Sequence, residues 1–292
     1  MDVYEELASL RRSGRKAALA TIVNVEGSIP SFRSAKMLVR EDGSIVGTIG
    51  GGCTEAEVWQ AAKDVIETEM PQMLDFNLGQ DAAYDEGLIC GGSLKVYVEP
   101  ILPLPQAVIF GGGHISKSLS TIASQAGFHT VVVDDREAYA NEERFPEAIA
   151  TYAEDYEDAF KHLNVNAASY LIIVTRGHRD DMRVLRWAVE QDVRYIGMIG
   201  SRRKTTEVVK SLIAEGVSLE LLSRVHAPMG LDITASLPEE IAVAVVAEMV
   251  YKRRNPTALW HPLSKSIFVK GIPRVLQQKA KESKVPAVSS TT

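Results

Sequence analysis

The sequence predicts an α/β protein in which a C-terminal domain built on a parallel sheet follows a smaller α+β domain. Three prolines lie within residues 100–105, and proline suits neither a helix interior nor a central strand. Before this segment, short apolar runs surround one helical stretch. After it, apolar runs alternate with helical stretches, which is the pattern of a parallel α/β sheet. We therefore expect the domain boundary at the prolines.

The first domain, residues 1–100, is predicted to be α+β. Its apolar runs read as short strands because β-branched and aliphatic residues are bounded by turn signals. These strands are expected at residues 17–25, 35–39, 45–49, 73–78 and 94–98. The segment 41–43 carries an Asp-Gly pair that favours a hairpin turn, and one helix is expected at about residues 55–69. A proline-rich linker, residues 101–106, follows.

The second domain, residues 107–275, is predicted to contain four parallel strands. Their continuous apolar character fits strands that are covered on both faces of a sheet. They are expected at residues 107–110, 130–133, 170–174 and 195–199. Further on, Pro238 and two acidic residues indicate the start of a helix at residues 241–251. The polar tail, residues 276–292, is expected to be disordered.

A glycine-rich turn follows the first strand of the second domain. Gly111, Gly113 and Ser116 match the dinucleotide-binding pattern G-x-G-x-x-G, with serine at its third position. Asp134 and Asp135 end the next strand, where an acid would bind a ribose hydroxyl. The strand before the turn, the helix after it and the acid at the next strand end together indicate a Rossmann-like domain.

Two further features of this domain are candidate binding groups. His114 follows the glycine turn and either lines a site or caps it. Near residue 200, Gly200 and Ser201 precede three consecutive bases, which include Arg202 and Lys204. Bases at a helix N-terminus oppose the helix dipole, and a bound phosphate would offset that cost. The alternative is a solvated basic surface.

The chain contains two cysteines, Cys53 and Cys90, and each lies beside a run of glycines. These glycines are Gly50, Gly51 and Gly52 before the first and Gly91 and Gly92 after the second. Glycine lets backbone N–H groups approach a ligand, and a helix N-terminus near Cys53 would favour its thiolate. Alternatively the cysteines only fill space in tight turns. The first fifteen residues resemble no signal peptide, so we expect a cytoplasmic protein without a stable disulfide.

Composition excludes several classes of function. Hydrophobic residues make up 46% of the chain and charged residues 24%, and no apolar run is long enough to span a membrane. The net charge is -6, which disfavours nucleic acid as the main partner. The six histidines form no close-spaced pair, so a zinc signature of the H-E-x-x-H type is absent from the sequence.

Taken in order, these motifs resemble the XdhC/CoxI family of accessory factors that mature molybdenum hydroxylases. The matching segments are residues 27–30, 35–39, 47–55, 90–92, 111–114, 133–136, 197–204 and 228–232. The chain departs from the family pattern at Ser34 and Thr234, where glycine is usual, and at Ser31, where arginine commonly follows the proline. Arg33 is a candidate substitute for that arginine.

The resemblance implies that the protein binds molybdenum cofactor and keeps it while a sulfido ligand replaces an oxo ligand. It then delivers the cofactor to an apo molybdenum hydroxylase such as xanthine dehydrogenase. A cysteine desulfurase would supply the sulfur, and a homodimer is expected. On this interpretation Cys53 is the principal thiol and candidate molybdenum ligand, Cys90 is its neighbour, and Glu55 is a proton acceptor or helix-start anion. The protein would act as a chaperone rather than as a classical enzyme.

Two other functions remain open from the residues alone. An oxidoreductase would bind NAD(P) on the Rossmann-like domain and place a catalytic acid or base over the ring. A nucleotide-sensing regulatory protein would bind a nucleotide there without chemistry. The glycine-flanked cysteines disfavour the sensor, because nucleotide sensing needs no thiol in the first domain.

Overall fold

The computed structural model describes residues 2–27, 34–77, 92–255 and 257–283. The chain divides into two compact units, Met1–Leu104 and Pro105–Thr292. No helix in the described ranges is long and apolar enough to cross a membrane. Cys90 and Gly91 lie outside the described residues, as do Ser31 and Arg33.

The first unit is an antiparallel sheet with a helix on each face. Its elements are α1 (Val3–Arg12), β1 (Ala17–Glu26), β2 (Lys36–Arg40), β3 (Ile45–Gly47), α2 (Gly52–Thr68), β4 (Gln72–Asn77) and β5 (Ser93–Ile101). The strands are ordered β3-β2-β1-β5-β4. Side chains alternate between faces along a strand. In β1, Ala18, Ala20 and Ile22 therefore pack with α2, whereas Ala17 and Leu19 pack with α1.

The second unit is a parallel sheet with helices on both faces. Its strands are β6 (Gln106–Phe110), β7 (His129–Asp134), β8 (Ala150–Ala153), β9 (Ser169–Ile173) and β10 (Tyr195–Met198), ordered β10-β9-β6-β7-β8. Its helices are α3 (His114–Gln125), α4 (Tyr156–Phe160), α5 (His178–Ala188), α6 (Arg202–Ala214), α7 (Leu219–Ser223), α8 (Pro238–Arg254) and α9 (Arg274–Ser283). Two apolar cores lie on opposite faces of this sheet, since alternate residues of β6 belong to each. The predicted fold class is confirmed.

Several local predictions need correction. Pro100 was expected to exclude a central strand, but β5 continues through it and pairs it with Ala18. Pairing with β4 stops at Val98, so the strand has a free edge at the proline and the missing N–H costs no ladder bond. The expected disorder from residue 276 is wrong for 276–283, because α9 occupies this segment and buries Leu276.

Other differences concern elements that are short or marginal. The helices α1, α4 and α7 and the edge strand β8 were not predicted, and α2 begins at Gly52 rather than near residue 55. The helix expected at residues 241–251 extends over Pro238–Arg254. The strand expected at 45–49 ends at Gly47, because the next residues belong to the glycine turn.

Candidate functional site

The turn before α2 has a backbone that only glycine adopts readily. Gly50, Gly51 and Gly52 have φ values of 125°, 80° and 68°, in the region that L-residues with a Cβ avoid. A Cβ added at Gly51 or Gly52 would meet no atom within 4 Å. Gly51 and Gly52 are therefore required by the backbone conformation and not by crowding, and the space around them is open.

Glu55 holds this turn in shape. Its Oε2 accepts hydrogen bonds from the Thr48 hydroxyl at 2.6 Å, the Ile49 N–H at 3.3 Å and the Gly51 N–H at 3.2 Å. Glu55 lies in the first turn of α2, where a negative charge also interacts favourably with the helix dipole. Of its two predicted roles, this arrangement favours the helix-start anion.

Cys53 is the second residue of α2, and its side chain is exposed as a free thiol. The N-cap residue, Gly51, provides no side-chain cap, so backbone N–H groups of the first helical turn remain available. An exposed thiol contributes nothing to the core, and the space-filling interpretation does not apply to Cys53.

The second glycine-flanked cysteine segment leads into β5, although Cys90 itself lies outside the described residues. Gly92 precedes Ser93, which pairs with Glu26 at the end of β1. Because β2 is antiparallel to both β1 and β3, Gly47 ends β3 at the same end of the sheet. Gly92, before β5, and the Cys53 turn, after β3, therefore lie at the same end of the sheet. The strands β1 and β2 lie between β3 and β5.

The Rossmann unit brings its predicted turns to one edge. The strands β6, β7, β9 and β10 are parallel neighbours, so the loops after them meet at the carboxyl edge of the sheet. The chain order reverses between β6 and β9, and ligands of open α/β sheets bind at such a switch point.

The glycine turn after β6 is partly closed and partly open. A Cβ at Gly111 would lie 2.5 Å from the Val174 carbonyl oxygen, and one at Gly112 would lie 2.0 Å from the Tyr139 carbonyl oxygen. A Cβ at Gly113 would meet nothing within 4 Å. The exposed His114 begins α3 just beyond it.

The two acids at the end of β7 have different surroundings. The Asp134 side chain is 2% exposed and forms a salt bridge with Arg136. Asp135 is 34% exposed, and its Oδ2 accepts a 2.6 Å hydrogen bond from Arg176. Neither carboxylate is without a partner.

In the predicted phosphate site near residue 200, Ser201 and Lys204 already have partners within the protein. Ser201 caps α6 by accepting the Lys204 N–H at 3.2 Å. The Lys204 Nζ lies 2.5 Å from Oδ2 of Asp181, whose other oxygen accepts the Thr175 hydroxyl at 2.7 Å. Asp181 is fully buried, and this burial raises its pKa despite Lys204 and Thr175. The Arg202 side chain is exposed and remains the candidate cation.

Sequence reasoning missed a second buried polar cluster, centred on Glu248. Its carboxylate accepts the Tyr195 hydroxyl at 2.7 Å, the Gly230 N–H at 2.7 Å and the Ser264 hydroxyl at 2.8 Å. The His226 Nδ1 lies 3.1 Å away. Burial would raise the pKa of Glu248, but these partners outweigh it and lower the pKa. The available signal was an isolated acid within the apolar run 241–250.

In the described part of the chain, no group of three or more His, Cys, Asp or Glu side chains could hold a metal ion. Cys53 could contribute one thiolate to a metal that brings its other ligands with it. A metal complex that carries its own ligands does not require a complete metal site in the protein.

Comparisons with known proteins cover both units. A model described as the XdhC and CoxI family matches residues 10–77, and one described as the XdhC Rossmann domain matches residues 107–249. The Escherichia coli protein YqeB is 33% identical over 256 residues, which are 87% of this chain and 47% of YqeB. The chain thus spans about half the length of that relative.

Two further relatives are matched over most of their length. A Bacillus subtilis protein, named as a probable xanthine dehydrogenase subunit, is 24% identical over 85% of this chain and 97% of its own. The molybdenum cofactor insertion chaperone PaoD of Escherichia coli is 24% identical over 82% of this chain and 85% of its own.

Proposed function

Since the chain belongs to the XdhC and CoxI family, we propose that it binds molybdenum cofactor as cargo and delivers it to an apo molybdenum hydroxylase. Xanthine dehydrogenase is the expected recipient. We also propose that the cargo stays bound while a sulfido ligand replaces an oxo ligand. The names of two relatives support this proposal, because PaoD is a cofactor insertion chaperone and the Bacillus subtilis protein belongs to a probable xanthine dehydrogenase.

The observation that carries the proposal is the exposed thiol of Cys53 beside an open glycine turn. Thiolates are soft ligands that suit soft metal centres. Cys53 is the second residue of α2, and the three residues before it are glycines. With no Cβ at three successive positions before it, a bulky metal complex could approach the sulfur along the backbone.

Glu55 acts in this proposal as a positioning residue. The three hydrogen bonds that Oε2 accepts, from Thr48, Ile49 and Gly51, fix the turn on which Cys53 stands. Cys90 is proposed as a second thiol. Gly92, two residues further along the chain, lies at the same end of the sheet as the Cys53 turn, which supports that role.

The Rossmann unit offers groups for the phosphate of the pterin. The Gly113 position is open and is the N-cap of the twelve-residue helix α3, which has no side-chain cap, and this is a suitable environment for an anion. Arg202 is an exposed cation at the start of α6. Lys204 would contribute only in part, because Asp181 already neutralises it.

A cysteine desulfurase is proposed as the sulfur source and a homodimer as the assembly. Activation of a purified apo-xanthine dehydrogenase tests the function. The chain is loaded with molybdenum cofactor, treated with the desulfurase and cysteine, and mixed with the apo-enzyme. We expect dehydrogenase activity to depend on the chain and on Cys53. Equal activation by free cofactor and desulfurase without the chain would refute the proposal.

A further inference from the structure

Many Rossmann folds bind a dinucleotide, and the groups that would hold one can be located in this unit. In the common binding mode the pyrophosphate lies at the first glycine turn, and an acid at the end of the second strand accepts a ribose hydroxyl. The corresponding positions here are the turn at 111–113 and Asp134. The strands β6 and β7 that carry them are parallel neighbours.

The Asp134 carboxylate is already saturated. Its Oδ1 accepts the Arg136 N–H at 3.1 Å and the Arg136 Nε at 2.8 Å. Its Oδ2 accepts the Arg136 Nη2 at 2.9 Å and the Gly112 N–H at 2.8 Å. A carboxylate has about four acceptor sites, so none is left for a ribose hydroxyl.

A neutral ribose hydroxyl would have to displace strong hydrogen bonds to reach the Asp134 carboxylate. Arg136 makes a bidentate, charge-assisted contact, and such bonds are about twice as strong as neutral ones. Burial would raise the pKa of Asp134, but the hydrogen bonds from Arg136 and Gly112 outweigh it and lower the pKa. Displacing Arg136 would leave a buried carboxylate, 2% exposed, with only weaker partners.

The segment after β7 also covers the glycine turn directly. The Tyr139 carbonyl oxygen lies where a Cβ of Gly112 would project, at 2.0 Å from that position. The Arg144 Nε donates a 2.9 Å hydrogen bond to the Gly112 carbonyl oxygen. Both polar groups of Gly112 are therefore bound by the protein itself, its N–H by Asp134 and its carbonyl by Arg144.

This covering segment is held in place. The Arg136 guanidinium lies 3.5 Å from the centre of the Tyr139 ring, and the Tyr139 N–H donates to the Arg136 carbonyl at 2.8 Å. Ala140 and Phe145 are 3% and 1% exposed, which anchors the segment in the core. It is a packed part of the unit and not a loose loop over an open crevice.

We propose that the segment 136–144 fills the ribose position of the dinucleotide fold and excludes NAD(P), with Arg136 as the residue that determines this specificity. The turn stays open at Gly113, and the loop after the neighbouring strand β9 is open at Gly177; an added Cβ would meet no atom within 4 Å at either position. A ligand of this unit is then an anionic group that needs no ribose contact at Asp134. The proposal stands independently of molybdenum cofactor handling.

Equilibrium dialysis of the full chain against NADH and NADPH tests the proposal. We expect no saturable binding by the wild type up to about 1 mM. In Arg136→Ala, which frees Asp134, we expect saturable NADH binding with a Kd of about 0.1 mM or below, at least about tenfold tighter than the 1 mM bound on the wild type. Adding Asp134→Asn to that variant should abolish the gain. Arg183→Ala is the matched control, because Arg183 is a similarly exposed, salt-bridged arginine of the same unit.

Two results would overturn the proposal. One is saturable binding of NADH or NADPH by the wild type below about 1 mM. The other is a folded Arg136→Ala, judged by circular dichroism, that binds NADH no better than the wild type. If the alanine variant fails to fold, Arg136→Lys keeps the charge but loses the bidentate contact and is judged in the same way. Molybdenum cofactor retention, measured on the same samples, tests the proposed function separately.

Discussion

The Oε2 of Glu55 lies 3.2 Å from the backbone nitrogen of Gly51 and accepts its N–H. This bond ties the first turn of α2 to the glycine run that precedes Cys53. The thiol therefore stands on a turn whose shape depends on one carboxylate and on three residues without a Cβ.

Replacing Glu55 by alanine should loosen the turn without unfolding the unit. The Thr48 hydroxyl and the Gly51 N–H would turn to water because both residues are exposed, so we expect a loss of about 1 kcal/mol in the free energy of unfolding. Retention of molybdenum cofactor should fall at least about tenfold, equivalent to ~1.4 kcal/mol. Urea unfolding and gel filtration with molybdenum analysis measure the two effects.

Glu67→Ala is the control for that variant, because Glu67 is an exposed acid on the same helix. It should change neither stability nor retention. Full retention by Glu55→Ala would show that the carboxylate does not position the thiol.

Alanine at Gly51 should destabilise the first unit through its backbone alone. The φ of 80° is unfavourable for a residue with a Cβ, at a cost of about 1–2 kcal/mol. Since no atom lies within 4 Å of the added methyl group, steric contacts would contribute nothing. Thermal or urea unfolding measures the change.

Gly113→Ala is the matched comparison, because the site is equally open but its φ is -70°. We expect a smaller effect on stability there. Equal losses at both positions would mean that backbone conformation does not explain the glycine run.

The stability of the Rossmann unit should depend on pH through Glu248. Its folded-state pKa is lowered from the ordinary 4.5 by His226, Tyr195 and Gly230, although burial opposes them. The folded state therefore gains stability above pH 4.5, and this gain is lost as the pH falls through the lowered pKa. Urea unfolding between pH 7 and pH 3 should show this loss.

Glu248→Gln should remove that part of the pH dependence and cost about 3 kcal/mol at pH 7, because the charged acceptor of several buried hydrogen bonds becomes a neutral amide. Glu239→Gln, on the first turn of the same helix and exposed, serves as the control. An unchanged pH profile in Glu248→Gln would contradict the role of this carboxylate.

The strands of the second unit could be predicted because burial on both faces produces a continuous apolar run. Tyr170, Leu171, Ile172 and Ile173 of β9 are all buried, and the sequence shows this directly. The helix α1 was missed because its apolar contacts come from three scattered residues, Val3, Leu7 and Leu10, among many charges. An apolar helix face of only three residues becomes evident only when the strands that it packs against are known.

The candidate site was predictable in position but not in its pairings. Spacing along the chain placed Asp134 at a strand end and Lys204 at a helix start. It could not show that Arg136 saturates Asp134 or that the buried Asp181 binds Lys204, because those partners are chosen by tertiary packing. The turn before Cys53 could be predicted from the sequence, because three successive glycines favour a backbone with positive φ that other residues avoid.

The most direct test of the account is molybdenum retained by the purified chain after incubation with molybdenum cofactor and gel filtration. The wild type is compared with Cys53→Ala, with Cys90→Ala and with Met73→Ala, which removes another exposed sulfur of the first unit. We predict that the wild type and Met73→Ala retain molybdenum and that Cys53→Ala loses it. Retention by Cys53→Ala at the wild-type level, or no retention by the wild type, would contradict the account.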